Sequence, residues 1–391
     1  MTGERLVLVA NARLPSQRAQ SLQVAQVAGA FARAGVATTL VHARRRDTPP
    51  VDDPDALWDY YGLPSGARPE VRAAACVDWI DLVPRKLQYV PARLQELSFA
   101  RNASGLVQRE YASAWVLSRE LECARQLVRA GRRGVFLEIH RVPGGRARRR
   151  WLLEAAQGCA GLVAISGGVR EDLIELGVGA DAIVVEHDGF ETGRFEGLPE
   201  RSAARRELGL PEGGPLVVYT GGLLAWKGVD VLVEAARALP EVHFAIAGGM
   251  DADVASLKAR AAGLGNLRFD GFQPPERVPL YLAAGDVGVV PNRSTPAISA
   301  RYTSPLKVFE AQAAGLPLVV SDLFSMRDVL SEEQALFVAP DDPAALAQGL
   351  REVLADPVRR QAMAAALRAG ASEHSWDARA RRLLDWMGGR G

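Results

Sequence analysis

Short runs of β-branched residues alternate along this chain with longer segments in which apolar residues recur every three or four positions. Residues 6–9 predict a strand, residues 21–34 a helix that stops before Gly35, and residues 38–41 the next strand. A helix between two strands carries the chain back to the same edge of a sheet, so such units build parallel sheets. Further strands of the first half are predicted at residues 115–117, 135–137, 162–165 and 183–185.

The alternation stops between Asp188 and Pro215, where Gly, Pro, Glu and Arg dominate, and it resumes with a strand at residues 216–219. Later strands are predicted at residues 243–247, 267–269, 287–290, 318–320 and 336–338. At roughly 150 residues per domain, 391 residues suit two domains. The predicted fold class is α/β, with two doubly wound Rossmann-like domains facing across a cleft. The predicted parts are residues 1–190, a linker at 191–213, a second domain at 214–370, and a C-terminal helix within 371–391.

Charge and composition exclude several classes of function. The 47 Lys and Arg residues nearly balance 46 Asp and Glu residues, so no net positive field favours nucleic acid. The three cysteines, Cys76, Cys123 and Cys159, form no CxxC pair, which argues against a disulfide framework or a zinc module. No run approaches the roughly 18 apolar residues of a membrane span, so we expect a cytoplasmic protein. Only four residues are lysines, Lys86, Lys227, Lys258 and Lys307, and each is therefore notable.

The segment from residue 219 to residue 230 joins a strand to a helix through paired glycines. Gly221 and Gly222 follow the strand, and Lys227 and Gly228 stand at the start of the helix. Backbone N–H groups and an ammonium converge there with a helix N-terminus, which suits a phosphate or a diphosphate. The spacing matches neither GxGxxG nor a P-loop. A tight turn with a solvated lysine explains the pattern about equally well.

A second segment, residues 301–320, contains another helix start. Ser304 is a candidate N-cap and Pro305 a first-turn proline, so Leu306 and Lys307 would present free N–H groups to an anion. Glu310 lies one turn further along the same side, where its carboxylate could accept hydrogen bonds from ribose hydroxyls. The alternative is an ordinary Lys–Glu pair on the surface.

With these motifs, the chain resembles the retaining glycosyltransferases of family 4, which use nucleotide-sugar donors and have the two-domain GT-B fold. The resemblance extends over almost the whole chain, with support from residues 11–15, 21–23, 136–140, 163–168 and 187–190. It implies that the C-terminal helix packs back on the first domain, and that residues 1–190 hold the acceptor. It also implies donor contacts from Lys227, from residues 304–307 and from Glu310, with His140 at the donor sugar.

Two positions depart from the family pattern. Gly222 stands where many members have an arginine that contacts the diphosphate, and Tyr302 stands where they have a glutamate that reads sugar hydroxyls. Of the cations that could replace the lost arginine, Lys307 ranks before Arg293 and Arg301, because it belongs to a helix start.

The predicted site consists of catalytic, donor-binding and acceptor-side residues. We expect Lys227 and Lys307 to be catalytic, since positive charge near the departing oxygen stabilises a diphosphate leaving group. His140 is the third expected catalytic residue, because a neutral imidazole could hydrogen-bond a sugar hydroxyl or the developing charge. Phe272 is a candidate for stacking on the base, with core packing as the alternative. The predicted donor-binding residues are Gly221, Gly222, Lys227, Phe272, Tyr302, Ser304, Pro305, Leu306, Lys307 and Glu310, and those of the acceptor or its loop are Arg18, Ser21 and Glu138.

We expect no cofactor beyond the nucleotide sugar, and no metal, because no cluster of His, Cys and carboxylates has ligand spacing. The frequency of donors in the family favours UDP over GDP. The expected acceptor is a glycan or a lipid-linked molecule, and the basic and aromatic segment at residues 84–93 suits either an oligosaccharide or the inner face of a membrane. An epimerase of the same fold and a non-catalytic nucleotide-sugar-binding partner protein are the alternatives.

Overall fold

The computed structural model describes residues 5–16 and 19–390, and these residues form two compact units. Unit 1 comprises Met1–Ile165, Val169–His187 and Trp376–Gly391, within those described limits, and unit 2 comprises Ser166–Gly168 and Asp188–Ser375. Each unit contains one sheet in which every strand pairing is parallel. The predicted α/β class with two doubly wound domains is confirmed.

Unit 1 has seven strands in the order β3-β2-β1-β4-β5-β6-β7. The strands are β1 Arg5–Ala10, β2 Ala37–Arg44, β3 Glu70–Ala75, β4 Trp115–Ser118, β5 Val135–Ile139, β6 Gly161–Ala164 and β7 Ile183–Val185. The helices are α1 Ala19–Arg33, α2 Pro54–Tyr60, α3 Tyr89–Glu110, α4 Leu121–Arg129, α5 Arg146–Gly158 and α6 Gly167–Glu175. Strands β1, β4 and β5 are buried almost throughout, as expected of central strands covered on both faces.

Unit 2 has six strands in the order β10-β9-β8-β11-β12-β13. Its helices begin with α7 Arg201–Leu208. The strands are β8 Leu216–Thr220, β9 His243–Ala247, β10 Leu267–Gly271, β11 Val287–Val290, β12 Leu318–Ser321 and β13 Ala335–Val338. The further helices are α8 Val229–Arg237, α9 Asp251–Arg260, α10 Val278–Ala284, α11 Leu306–Ala314, α12 Phe324–Arg327, α13 Pro343–Ala355 and α14 Pro357–Ala371. The strand order reverses between β8 and β11, which is where doubly wound sheets bind ligands.

Residues 191–213, which the sequence presents as a linker, lie within unit 2. They contain α7, whose Arg205 is buried and bonds Asp286 at 2.7 Å as well as four backbone carbonyl oxygens. Charge-assisted hydrogen bonds of this buried arginine attach α7 to unit 2, although an arginine gives the sequence a polar appearance.

The last helix, α15 Trp376–Gly388, belongs to unit 1. Trp386 packs on Phe136 of β5 with ring centroids 5.7 Å apart, and it lies so close to Gly161 of β6 that no side chain fits there. The return of the C-terminal helix to the first domain is therefore confirmed. In the described part of the chain, no helix is both long and apolar enough to cross a bilayer.

Candidate functional site

Three neighbouring strands of unit 2 end in glycines with positive φ. Gly221 follows β8, Gly248 follows β9 and Gly271 ends β10, with φ of +124°, +125° and +66°. A side chain on Gly248 would overlap the carbonyl oxygen of Gly221, so the two turns pack backbone against backbone. The carboxyl edge of these strands is therefore a surface of bare main chain that a ligand can approach closely. The sequence prediction included Gly221 but missed Gly248.

A 3₁₀ turn, Ala225–Lys227, joins the glycines to α8. It ends at Gly228, where φ is +68° and a Cβ would overlap the carbonyl oxygen of Pro291. The carbonyl oxygen of Trp226 accepts a 2.9 Å backbone hydrogen bond from the segment that follows β11. Lys227 is therefore held at the start of α8, next to the point where the strand order reverses.

Lys307 reaches the same turn from the first turn of α11. Its Nζ lies 3.7 Å from the ring centroid of Tyr219, and a Cβ on Gly221 would be 3.5 Å from it. The Tyr219 hydroxyl donates to the carbonyl oxygen of Gly222 at 2.7 Å, so the ring supports the turn as well as the ammonium. The ammonium is buried and has no hydrogen-bond partner among the described residues. A buried cation without a hydrogen-bond partner is energetically unfavourable. The unpaired N–H groups of Lys307 therefore indicate a binding place for an anion.

Lys227, Lys307 and Glu310 have pKa values shifted from their usual ranges. Burial lowers the pKa of Lys227 to about 8. The pKa of Lys307 lies well below its usual range, first through burial and then through the positive charge of Lys227, with Glu310 opposing. Burial raises the pKa of Glu310 to about 7, against the charges of Arg194 and Lys307. An anion beside both lysines would favour their charged forms.

The start of α11 differs in detail from the sequence prediction. The N-cap residue is Pro305, and the helix begins at Leu306. Ser304 is not the cap, because its Oγ accepts a 2.7 Å hydrogen bond from the backbone N–H of Asp188. The N–H groups of Leu306 and Lys307 belong to the first turn, where an α-helix has no internal acceptors for them. The predicted helix start is therefore present, with Ser304 holding the segment in place, and anion binding there stays a prediction.

Arg293 and Arg301, the two alternative cations named in the sequence analysis, have surroundings that differ from those of Lys307. Arg293 bonds Asp341 at 2.9 Å and also pairs with Asp230, so its charge is already neutralised by two carboxylates. Arg301 lies in a π-helical turn, with its guanidinium over the ring of Phe324. The geometry therefore favours Lys307 as the cation that occupies the place of the missing arginine.

Tyr302 is the last residue of that π-helical turn, Ile298–Tyr302. The turn is anchored through the carbonyl oxygen of Arg301, which accepts a 3.4 Å hydrogen bond from Ser166 and packs on Gly168, where no Cβ fits. The Ser-Gly-Gly motif at residues 166–168 thus supports the segment that carries Tyr302.

Phe272 follows β10 with 47% of its surface exposed, so the alternative of core packing does not hold. Leu224 and Met250, in the loops after β8 and β9, are exposed by 54% and 69%. These three apolar side chains belong to the glycine turns described above, and large exposed apolar side chains grouped in this way are typical of a binding surface.

In unit 1, His140 and Glu138 lie on the same side at the end of β5. Nε2 of His140 is 2.8 Å from Oε1 of Glu138 and 2.8 Å from Nη2 of Arg119. Because one ring nitrogen cannot donate and accept together, the carboxylate and the guanidinium compete for it. When Nε2–H donates to Glu138, Nδ1 keeps its lone pair for a ligand hydroxyl. His140 lines a cavity of 580 Å³ together with Arg119 and Glu120.

Glu138 is held by a residue that the sequence prediction missed. Arg379 of α15, with a side chain 2% exposed, donates to Oε2 of Glu138 at 2.8 Å and to the carbonyl oxygen of His187 at 2.8 Å. Burial opposes ionisation of Glu138, but Arg379, Arg119 and His140 together hold its pKa well below the usual range. A signal was present in the sequence, because Arg379 stands on the apolar stripe of an amphipathic helix.

Of the two residues predicted in the first loop, Ser21 lies inside α1 and is buried. Its hydroxyl donates to the carbonyl oxygen of Arg13 at 2.7 Å, so it holds the loop in shape. Arg18 lies outside the described residues. Among residues 5–16 and 19–390, no three His, Cys, Asp or Glu side chains are grouped as metal ligands would be.

The chain is similar in fold to solved structures over nearly its whole length. HepE from Anabaena, in complex with UDP, aligns with a TM-score of 0.75 and 16% identity, over 99% of this chain and 100% of that chain. Sucrose-phosphate synthase from Thermosynechococcus elongatus aligns with a TM-score of 0.75 and 19% identity, over 98% of each chain. At these identities the similarity establishes the fold, and the chain has the GT-B fold of two parallel-sheet α/β domains.

Sequence comparison gives a family match that lies within unit 2. Residues 200–369 match the family model described as "Glycosyl transferases group 1". The D-inositol 3-phosphate glycosyltransferase of Xylanimonas cellulosilytica is 34% identical over 238 residues, which cover 57% of this chain and 55% of that protein. The enzyme of the same name from Corynebacterium urealyticum is 31% identical over 52% of this chain and 50% of its own length. The chain spans about half the length of these curated relatives.

Proposed function

We propose that this protein transfers a sugar from a nucleoside diphosphate sugar to an acceptor. The observation that carries the proposal is the buried, unpaired ammonium of Lys307 beside Lys227 and the bare glycine turn of Gly221. Two cations, exposed main chain and a helix N-terminus at one place suit a diphosphate better than any single charge. The carboxylate of Glu310, one turn along α11, accepts hydrogen bonds from the ribose hydroxyls.

The chemistry follows from where charge develops. As the bond between sugar and phosphate breaks, the departing diphosphate gains negative charge, and Lys227 and Lys307 stabilise it without reorganisation because the fold already holds them there. The donor diphosphate also raises the proton affinity of both lysines, so binding itself charges the groups that the reaction needs. We further propose retention of configuration and a reaction that needs no metal.

UDP is the proposed nucleotide, since the HepE structures that share this fold contain UDP and UDP-glucose. The ring of Phe272 offers a face on which the base can stack.

In unit 1, His140 offers Nδ1 to a sugar hydroxyl, with Glu138 and Arg379 fixing the ring. Unit 1 is the proposed acceptor side, and a glycan or lipid-linked acceptor suits its cavity with both acidic and basic side chains.

Calorimetric titration with UDP and GDP, followed by hydrolysis and transfer assays with UDP-sugars, tests this function. We expect UDP to bind, and Lys227→Ala and Glu310→Ala to weaken binding or turnover more than tenfold. Lys258→Ala is the matched control, because Lys258 is an exposed lysine of the same unit. UDP binding without turnover on any acceptor would favour the non-catalytic partner protein, and interconversion of UDP-sugars would favour the epimerase. EDTA should leave the rate unchanged, and a strong loss would refute metal independence.

Peripheral contact with a membrane is a separate proposal for unit 1. Between residues 77 and 97, eight large apolar side chains are exposed: Val77 36%, Trp79 51%, Leu82 62%, Leu87 64%, Tyr89 77%, Val90 62%, Leu94 42% and Leu97 39%. Such a patch, with Lys86 and Arg93 in the same segment, suits an anionic lipid surface. Vesicle sedimentation tests it: binding should require anionic lipid and fall with Trp79→Ser and Tyr89→Ser together. Equal sedimentation of that double variant would contradict it.

A further inference from the structure

The 580 Å³ cavity of unit 1 contains a carboxylate that forms no ion pair within the described residues, that of Glu120. Three further glutamates line this cavity, and each is in an ion pair: Glu96 with Arg93, Glu122 with Arg148, and Glu138 with Arg379. The role proposed for His140 does not involve Glu120. Its negative charge therefore remains available to a ligand in the cavity.

Glu120 is held in place by the main chain around it. It follows β4 and is the N-cap residue of α4, but its side chain does not cap that helix. Its Oε1 instead accepts a 2.9 Å hydrogen bond from the backbone N–H of Asn11, which follows β1. The hydroxyl of Ser118 accepts a 3.1 Å hydrogen bond from the backbone N–H of Glu120. The carboxylate is thus fixed where β1 and β4 end, and Oε2 keeps its lone pairs for a ligand.

The surroundings of Glu120 disfavour its negative charge in the free protein. Burial raises the pKa of Glu120 to about 7, although the hydrogen bond from Asn11 and the charge of Arg119 oppose the rise. Arg119 is engaged elsewhere, because its Nε lies 3.1 Å from Oε1 of Glu138. Arg141, a further cation of the wall, is exposed to solvent, which screens its charge. A desolvated carboxylate without a counterion favours a cationic ligand.

Arg119 contributes a second unsatisfied group to the same wall. Its side chain is 6% exposed, and its Nη2 contacts Gln23 at 3.0 Å and the ring of His140 at 2.8 Å. Its Nη1 is buried and has no hydrogen-bond partner among the described residues. An N–H donor next to a carboxylate suits a ligand with a hydroxyl group next to an ammonium group. The hydroxyl oxygen accepts from Arg119, and the ammonium donates to Glu120.

We propose that this cavity binds an acceptor with a protonated amino group next to a hydroxyl group, as in a 2-amino-2-deoxy sugar. Glu120 is then the residue that selects an amine over a hydroxyl at one carbon of the acceptor, because only the ammonium compensates its charge and donates a charge-assisted hydrogen bond. The cavity volume suits a molecule of the size of a sugar. The role as acceptor rests on the proposed function, whereas binding of the amine can be measured without any transfer.

Calorimetric titration at pH 7 with glucosamine and glucose, which differ at one carbon, tests the site. We expect glucosamine to bind about tenfold more tightly than glucose, and N-acetylglucosamine, whose nitrogen carries no charge, to lose that advantage. Glu120→Gln keeps an oxygen for the N–H of Asn11 and should abolish the preference without changing the affinity for glucose. Glu175→Gln removes the same charge from an exposed position of α6 and should leave the preference unchanged. Equal wild-type affinities for glucosamine and glucose, or an equal loss in the control variant, would overturn the proposal.

A transfer assay separates this inference from the proposed function. With the UDP-sugar that the hydrolysis assay identifies, kcat/KM for glucosamine should exceed that for glucose about tenfold, and Glu120→Gln should remove the difference mainly through a higher KM for glucosamine. If UDP fails to bind the wild type, the proposed function falls, while the calorimetric preference for glucosamine still decides the amine site. A preference for glucosamine that survives Glu120→Gln would contradict the assignment of the amino group to Glu120.

Discussion

Replacing Lys307 by methionine should make the protein more stable and its nucleotide binding weaker. In the free protein the Lys307 ammonium is buried without a hydrogen-bond partner, and its favourable contact is the face of the Tyr219 ring. Methionine keeps an unbranched apolar stem of similar length, so it packs against the same ring without a charge. In a complex with UDP, the same charge faces the diphosphate.

The expected changes in the stability of the fold and in the affinity for UDP have opposite signs. Leaving a buried donor unpaired costs about 1–3 kcal/mol, and a cation over an aromatic ring returns about 0.5–2 kcal/mol, so Lys307→Met should gain about 1 kcal/mol in free energy of unfolding. A hydrogen bond to a charged group contributes about 1.5–3 kcal/mol, so the variant should bind UDP about 10- to 150-fold more weakly. An equal loss of stability and affinity would indicate mere disruption of the fold.

The pH dependence of stability provides an independent check. The folded pKa of Lys307 is depressed, so the unfolded chain binds more protons between the folded and unfolded pKa values, and wild-type stability falls as pH falls through that window. The Lys307→Met variant lacks this contribution to the pH dependence of stability, because methionine does not titrate. The advantage of the variant should therefore be larger at pH 7 than above the usual lysine pKa of about 10.4.

Urea unfolding at both pH values and calorimetric titration with UDP provide the measurements. Lys258→Met is the control, because Lys258 is exposed and should affect neither quantity. A Lys307→Met protein that is less stable than wild type at pH 7, or that binds UDP with unchanged affinity, would refute the reasoning.

Three further predictions concern other residues. Because the pKa of Lys227 is about 8, UDP binding at pH 8 should take up protons, measured as a dependence of the calorimetric enthalpy on the buffer, and Lys227→Met should reduce this uptake. Gly228→Ala should lower the free energy of unfolding by at least about 1–3 kcal/mol, because φ is +68° and a Cβ meets a carbonyl oxygen; an unchanged urea midpoint would contradict this. Arg379→Met leaves buried Glu138 with one arginine fewer and should cost about 3 kcal/mol, less at acid pH where the carboxyl group protonates, while Arg381→Met at an exposed position should cost little.

The helix starts at Lys227 and Lys307 could be located from the sequence, because they depend on short-range rules. Glycines after a strand, a proline in a first helical turn and lysines in a chain nearly free of them are local signals. Those signals could not decide between a diphosphate site and a solvated surface. The observations that favour a diphosphate site are tertiary: the fold buries the Lys307 ammonium beside Gly221 and pairs Arg293 with two carboxylates.

Other elements had no local signal at all. β3, Glu70–Ala75, lies at an edge of its sheet and contains one β-branched residue among alanines and charges, so its sequence does not indicate a strand. The long helix α3, Tyr89–Glu110, begins without a side-chain cap in a segment that resembles a basic and aromatic surface tract. Their positions are set by pairing with β2 and packing against β3, which are contacts distant in sequence.

The sequence by itself determined the class of fold and the positions of the helix starts at Lys227 and Lys307, since strand and helix periodicity and glycine conformation are properties of neighbouring residues. Only the tertiary structure brought Arg379 to Glu138 across 241 positions and left Glu120 in a cavity without an ion pair among the described residues. Burial and ion pairing are created by segments that meet only in the folded chain, and they decide which charges are free to act on a ligand.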